Sequence, residues 1–144
     1  MSRKLARETA FRALFNLEFN HGEENEREIY EQLAIDEANE IMLEEKKRFN
    51  RKHFDFIGKA VHKTREHIKE IDEIISAHLK GGWSISRMGS ADRTILRLAV
   101  YEMKFAEDKP PVGAVINEAV ELAKVYGADD SDKFVNGILS AISK

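Results

Sequence analysis

Residues 54–75 read FDFIGKAVHKTREHIKEIDEII, and this stretch decides the fold class. One row of mostly apolar side chains recurs there at alternating steps of three and four residues, the spacing of a single face of an α-helix. The members of this seam are Phe54, Ile57, Val61, Thr64, Ile68, Ile71 and Ile75. A seam that faces its neighbours for about six turns predicts a long core helix, and self-association through the seam is the alternative.

Helical periodicity continues upstream of this segment. It predicts a first helix from about Arg3 to Asn20, which His21-Gly22 ends. Its inner stripe consists of Ala6, Ala10, Ala13, Leu14 and Leu17. A shorter second helix is predicted from Glu26 to about Ala34. Its predicted inward residues are Ile29, Tyr30 and Leu33. Residues 36–47 are acidic and weakly periodic, so they form either a loop or a frayed helix.

Three further helices are predicted downstream. The first covers residues 90–106, and Pro110-Pro111 then interrupts the chain. Pro111 suits the first turn of a helix over 112–126, which Gly127 closes. Ser131 is predicted as the N-cap of the last helix. Its inner residues are Phe134, Val135, Ile138, Leu139 and Ile142.

No convincing strand alternation occurs, so the predicted fold class is all-α. Gly81-Gly82 is a plausible boundary between two helical halves, residues 1–80 and 83–144. At 144 residues, one compact domain or two small halves sharing a core are both expected.

Composition narrows the class of protein. No apolar run approaches the roughly 20 residues that a membrane helix needs, and the N-terminus lacks a signal-peptide pattern. The absence of cysteine rules out disulfides, thiolate metal sites and a cysteine nucleophile. These features predict a cytoplasmic protein.

The net charge of −3 argues against indiscriminate binding of polyanions, but its distribution is uneven. Residues 1–20 carry four basic and two acidic side chains, whereas residues 21–47 carry three basic and ten acidic ones. Because charges are screened over about 8 Å at physiological salt, the local field decides affinity for phosphate. The chain can therefore present a basic end.

Catalytic and cofactor-binding patterns are hard to find. His62 and His67 are five residues apart, which does not place them on one helical face as a metal pair. Gly81-Gly82 follows a predicted helix and lacks the lysine of a phosphate-binding loop. We expect no cofactor, no metal site and no enzymatic activity.

The positive signal lies at the start of the first helix. Arg3, Lys4 and Arg7 fall on one side, and Phe11 and Phe15 continue that row. Basic side chains neutralise phosphates and aromatic rings stack on bases, so the row indicates RNA binding. The alternative is a solvated helix start above two core phenylalanines.

Three motifs in the second half then indicate a family. They are WSISRMGSADRTILRLAVYE at 83–102, PVGAVINEAVELAKVYG at 111–127 and DSDKFVNGIL at 130–139. Together they resemble the C-terminal half of the bacterial transcription antitermination factors of the NusB family. Ala6-Arg7-Glu8 and Ala13-Leu14-Phe15 resemble the first helix of that family. The resemblance covers essentially the whole chain and is weak between about residues 22 and 50.

The resemblance implies two small helical bundles packed side by side. It also implies binding of boxA RNA in the leaders of ribosomal RNA operons, and a heterodimer with NusE, a small-subunit ribosomal protein. The pair would join RNA polymerase with other Nus factors, without catalysis or a cofactor.

Site residues are implied by position. Arg3, Lys4 and Arg7 match the basic RNA-contacting segment of the family, although Leu5 stands where a further basic residue is common. The other implied RNA contacts are Phe15, Asp130, Lys133 and Phe134. Phe15 and Asp92 match positions expected to face NusE.

Physical reasoning leaves alternatives open at several of these motif residues. Arg93 and Arg97, with Glu102 nearby, are more consistent with a structural ion-pair network than with a phosphate site. We expect Trp83 and Tyr101 to pack in the core or between the halves. Core burial and RNA contact are equally compatible with Phe134.

Two other functional classes remain open. One is the RNA-binding module appended to ribosomal RNA methyltransferases, which would require the chain to be a fragment. The other is a homodimer that buries the surface meant for RNA and NusE.

Overall fold

The computed structural model describes residues 3–44 and 51–144, and every regular element in this part of the chain is helical. Seven α-helices occur in it: α1 (Arg3–Phe19), α2 (Arg27–Glu44), α3 (Arg51–Glu66), α4 (Ile68–Ser76), α5 (Ser90–Val100), α6 (Val112–Tyr126) and α7 (Ser131–Ile142). Short 3₁₀ turns cover Glu24–Glu26 and Ile85–Arg87, and a π-helical turn, Tyr101–Phe105, extends α5. The predicted all-α class is confirmed.

The chain divides into two compact units, Met1–His62 and Lys63–Lys144. The division lies between His62 and Lys63, upstream of the boundary predicted at Gly81-Gly82. The reason is the packing of α4, which contacts α5 and α7 and buries its isoleucines Ile71 and Ile75. A glycine pair marks a turn, but contacts between helices decide where one unit ends.

In the first unit, α1 packs against α2. The whole predicted stripe of α1 is buried, which confirms the predicted inner face: Ala6, Ala10, Ala13, Leu14 and Leu17. The helix bounds also agree with the prediction to one residue.

The face predicted for α2 is wrong. Ile29 is 62% exposed and Leu33 is 58% exposed. The helix continues to Glu44, and its inner face is instead formed by Ala34, Ile35, Ala38 and Met42. The face that a helix buries depends on the apolar residues of all its turns. The three apolar residues near the start of this longer helix therefore did not determine its buried face. Of residues 36–47, for which a loop or a frayed helix was predicted, 36–44 are helical and 45–47 lie outside the described residues.

A buried carboxylate joins α2 to α3. Glu31 is almost fully buried, and its carboxylate accepts a hydrogen bond from Arg27 Nε at 3.1 Å. The other carboxylate oxygen contacts Nδ1 of His62 on α3. His62 is thus a structural partner of Glu31.

The long seam is divided between two helices. The helix is interrupted at His67, so two helices, α3 and α4, replace the predicted continuous helix. Ile57 and Val61 on α3 are fully buried, as are Ile71 and Ile75 on α4. These four side chains are therefore not available to a second copy, whereas Phe54 at the start of the seam is 44% exposed, and self-association stays a prediction.

In the second unit, α5 packs on α6 and α7, which also pack on each other. The predicted bounds of α6 are confirmed, with Val115, Ala119 and Ala123 buried. Arg97 pairs with Asp72 of α4 through two hydrogen bonds of 2.8 Å. Its guanidinium is therefore engaged in a structural ion pair, as the sequence favoured, although with a partner the sequence did not indicate.

Arg93 uses its guanidinium on the backbone. One nitrogen donates to the carbonyl oxygens of Ile85 and Met88 at 3.0 and 3.1 Å. These bonds hold the 3₁₀ turn against the start of α5. Neither motif arginine of this helix is thus presented as a phosphate site.

Candidate nucleic-acid interface

The residues predicted to contact RNA fall into two groups, one in each compact unit, and each group has further aromatic neighbours. The first, here called the α1 row, consists of Arg3, Lys4, Arg7, Phe11, Phe15 and Phe19. The second, here called the α7 patch, consists of Trp83, Asp130, Lys133 and Phe134. Each surface is described by itself.

The three basic residues of the α1 row have different environments. Arg7 is buried, with 6% of its surface exposed, and it interacts within the chain. The guanidinium carbon of Arg3 lies 4.7 Å from the ring centroid of Phe56 on α3, a cation–π arrangement. Lys4 is exposed. Of the three, Lys4 is the side chain best placed to meet a phosphate.

The phenylalanines of the α1 row form a ladder along the helix. Phe11 is buried and stacks on Phe15 at 5.7 Å between ring centroids. Phe15 meets Phe19 edge-on at 5.4 Å, and Phe19 is 69% exposed. The ladder therefore runs from the core to solvent. The sequence prediction omitted Phe19, although its position four residues after Phe15 is the signal that could have found it.

Burial lowers the pKa of His53 on α3 below its ordinary value of 6.5, and nearby positive charge, Arg3 included, lowers it further. The cause is the cost of charging an imidazole away from water and close to other cations. The basic end of α1 thus acts electrostatically on the interior of its own unit as well as on solvent.

The turn before α7 is held by a hydroxyl. Ser131 was predicted as an N-cap, but it is the first helical residue, and Asp130 occupies the cap with a left-handed φ of 69°. The buried Ser131 Oγ accepts a hydrogen bond from the Ala128 amide at 2.9 Å and donates one to Asp92 Oδ2 at 3.1 Å. Its hydroxyl therefore ties this turn to α5.

Asp92 accordingly has a visible structural role. One carboxylate oxygen accepts the Ser131 hydroxyl, and the other, Oδ1, is buried without a hydrogen-bond partner. The side chain is only partly exposed. Contact between Asp92 and a protein partner stays a prediction.

The α7 patch is open to solvent. The side chains of Asp130 and Lys133 are 81% and 82% exposed, and they pair loosely at 3.7 Å. Phe134 is partly buried. Its ring lies 6.3 Å from that of Trp83, tilted by 44°.

Of the two packing roles expected for Trp83, the one in the core is wrong, because 57% of its surface is exposed, and packing between the halves stays a prediction. Tyr101, by contrast, is buried as predicted. The indole is uncovered because it lies on a turn between α4 and the 3₁₀ segment, outside the helical seams that made packing the expected role.

Both surfaces offer cations and aromatic rings, which suit phosphates and bases. Among residues 3–44 and 51–144, no group of three or more His, Cys, Asp or Glu side chains could hold a metal ion. None of the described helices is long and apolar enough to cross a membrane.

Comparison with known proteins identifies related chains. The family model described as "NusB family" matches residues 4–144. The transcription antitermination protein NusB of Bacillus subtilis (strain 168) is 43% identical over 142 residues, covering 99% of this chain and 95% of that protein. The corresponding protein of Aquifex aeolicus (strain VF5) is 41% identical, over 99% of this chain and 87% of that protein. These relatives are named for transcription antitermination and not for a catalysed reaction.

Solved structures agree over the same length. T. maritima NusB superposes with a TM-score of 0.82 at 34% identity, covering 99% of this chain and 91% of that one. The NusB chain of a crystal structure described as antitermination factors NusB and NusE in complex with dsRNA gives a TM-score of 0.76 at 35% identity, with coverages of 98% and 95%.

Proposed function

Because the chain belongs to the NusB family, we propose that it is a transcription antitermination factor that binds boxA-type RNA together with NusE. The RNA would come from the leaders of ribosomal RNA operons. The assembled pair would join RNA polymerase with other Nus factors in the cytoplasm and suppress premature termination. The family consists of antitermination factors and not of enzymes, so the protein acts by binding.

The observation that carries this proposal is similarity, over nearly the whole chain, to a chain solved together with NusE and dsRNA. The NusB chain of the NusB–NusE–dsRNA structure matches 98% of this chain, with 35% identity. The similarity includes both compact units, so the elements that carry the two candidate surfaces both have counterparts in that chain.

The residues assigned to RNA follow from exposure and chemistry. In the first unit, Lys4 offers an exposed charge next to Arg3, and Phe15 lies about three helical turns further along α1. In the second, Lys133 and Phe134 offer a charge and a ring, with Asp130 at the turn. Arg7 would support this surface from within, because it is buried.

Contact with NusE is assigned to Phe15 and Asp92. Phe15 lies between Phe11 and Phe19 in the aromatic ladder and is partly exposed, so an apolar side chain of the partner could pack against it. Asp92 would offer its partly exposed carboxylate to a basic partner.

The proposal is tested by fluorescence anisotropy with labelled RNA at fixed salt. A boxA-type single strand, a scrambled strand of equal composition and a duplex are titrated with the protein, with and without NusE. We expect weak, salt-sensitive binding by the protein alone and clear preference for the boxA-type strand once NusE is added. Equal affinity for the boxA-type and scrambled strands in the presence of NusE would contradict the proposal.

Two controls complete the experiment. Sedimentation of the free protein at high micromolar concentration establishes whether a homodimer competes with NusE for the same surface. A transcription assay with RNA polymerase and the other Nus factors then measures read-through of a terminator placed after boxA. Read-through that does not depend on this protein would refute the role in the polymerase complex.

A further inference from the structure

We propose that Trp83 is a base-stacking residue that, with Phe134, receives unpaired bases of single-stranded RNA. This inference rests on the proposed function and adds a contact to it. The two rings are 6.3 Å apart and tilted by 44°, so they form a stepped aromatic surface and do not cover each other. The step belongs to the second compact unit alone.

The indole of Trp83 is exposed to solvent. Trp83 is the only tryptophan of the chain, and more than half of its surface faces solvent. A large aromatic side chain normally stabilises the fold because its apolar surface is buried. Trp83 contributes little of this stabilisation, since most of its surface is exposed. A tryptophan kept at the surface is typical of a binding residue, since aromatic groups carry much of the affinity at recognition sites.

A hydrogen-bonded turn fixes the backbone that carries the indole. The Trp83 amide donates to the carbonyl oxygen of Lys80 at 3.2 Å, which closes a turn. Within that turn Gly81 and Gly82 have φ values of 64° and 79°, a region that favours glycine. The ring of Phe134 lies 6.3 Å from the indole, centroid to centroid. The side chain is therefore supported on its backbone and by a neighbouring ring, while most of it stays open.

Positively charged side chains accompany the two rings along the chain. Lys133, next to Phe134 in sequence, has a highly exposed ammonium group, and Lys80 and Arg87 are exposed on either side of Trp83 along the chain. Aromatic rings accompanied by cations are the combination that proteins use for single strands, where rings stack on bases and cations neutralise phosphates. Bases in a duplex are already stacked and paired, so this surface favours an unpaired strand.

The fluorescence of Trp83 itself tests the inference, because no other tryptophan contributes. The full-length protein is titrated with the boxA-type single strand while tryptophan emission and the anisotropy of the labelled RNA are followed. We expect emission to be quenched along the same saturation curve as the anisotropy. Saturating anisotropy with unchanged emission would overturn the stacking role and leave the proposed function intact.

Variants give the second measurement. Trp83→Ala should weaken binding of the single strand about 5- to 150-fold, the range for loss of one stacked base, and Trp83→Phe should restore most of it. Val125→Ala is the matched control, because Val125 is also an exposed apolar residue of the second unit. Melting temperatures of all three variants establish that they fold.

A contact with the protein partner is the competing outcome. If Trp83→Ala weakens binding of NusE but leaves the affinity of the protein alone for RNA unchanged, the stacking role is refuted. An equal effect of Val125→Ala would also refute it. If the unaltered protein with NusE shows no preference for boxA-type RNA, the proposed function is refuted instead. Failure of the stacking role and failure of the proposed function are therefore distinguishable.

Discussion

The α1 row and the α7 patch contain the same kinds of residue and use them differently. In the α1 row, Arg7 and Phe11 are buried and the guanidinium of Arg3 lies over Phe56. In the α7 patch, Lys133 is paired only loosely with Asp130, and Trp83 is mostly uncovered. The first surface is largely committed to its own unit, whereas the second is largely available to a ligand.

This difference shows that a basic and aromatic pattern does not by itself separate folding from binding. A cation at a helix start looks the same in sequence whether it meets water or a neighbouring helix. Substitutions of the buried or packed residues of the α1 row should therefore change stability and RNA affinity together, while substitutions in the α7 patch should change affinity alone. The predictions below test that division.

The largest effect is expected at Arg7. Arg7→Ala should lower the free energy of unfolding by about 2–3 kcal/mol, because truncation removes a buried side chain and leaves its partners unsatisfied. Lys4→Ala, at an exposed position of the same helix, should change it by less than about 0.5 kcal/mol. Urea denaturation measures both. Equal stability of the two variants would contradict the structural role assigned to Arg7.

The next effect compares the rings of the two surfaces. Phe134→Leu keeps apolar volume but removes the ring, and it should weaken binding of the boxA-type strand by about tenfold, near 1.4 kcal/mol. Phe15→Leu is the counterpart in the α1 row. There we expect loss of stability from the broken stack with Phe11 as well as any loss of affinity. Anisotropy and thermal melting separate the two effects.

Phe134→Leu with unchanged RNA affinity would contradict the division between the surfaces. It would favour the packing role that the sequence left open for this residue.

The sequence predicted some elements well because their signals are local. The bounds of α6 follow from Pro111 and Gly127, whose backbone preferences act within one or two residues. The inner face of α2 was missed because it depends on a helix longer than the predicted one. The exposure of Trp83 and the burial of Arg7 were also unpredictable, since both depend on neighbours far away in the chain.

A smaller effect is expected from the charge of the α7 patch. Lys133→Ala should reduce the slope of log affinity against log salt by about 0.7, the value for one phosphate contact on a single strand. Lys124→Ala is closely matched, because Lys124 is an exposed lysine paired at 3.6 Å with Glu121, three residues away, as Lys133 is with Asp130. Its slope should not change. Equal slopes for both variants would assign the patch no phosphate contact.

The smallest effect concerns pH and the α1 row. Burial and nearby positive charge, including Arg3, hold the pKa of His53 below 6.5 in the folded chain. The unfolded chain therefore binds the proton more readily than the folded chain does. The free energy of unfolding should have its full value above about pH 6.5 and should fall as the pH is lowered towards the folded pKa. Urea denaturation from pH 8 to pH 5 measures this, and His53→Gln should flatten the fall. Because Arg3 contributes to the shift, Arg3→Ala should also lessen the fall, and an unchanged slope there would mean that Arg3 acts only outwards, as the α7 patch does.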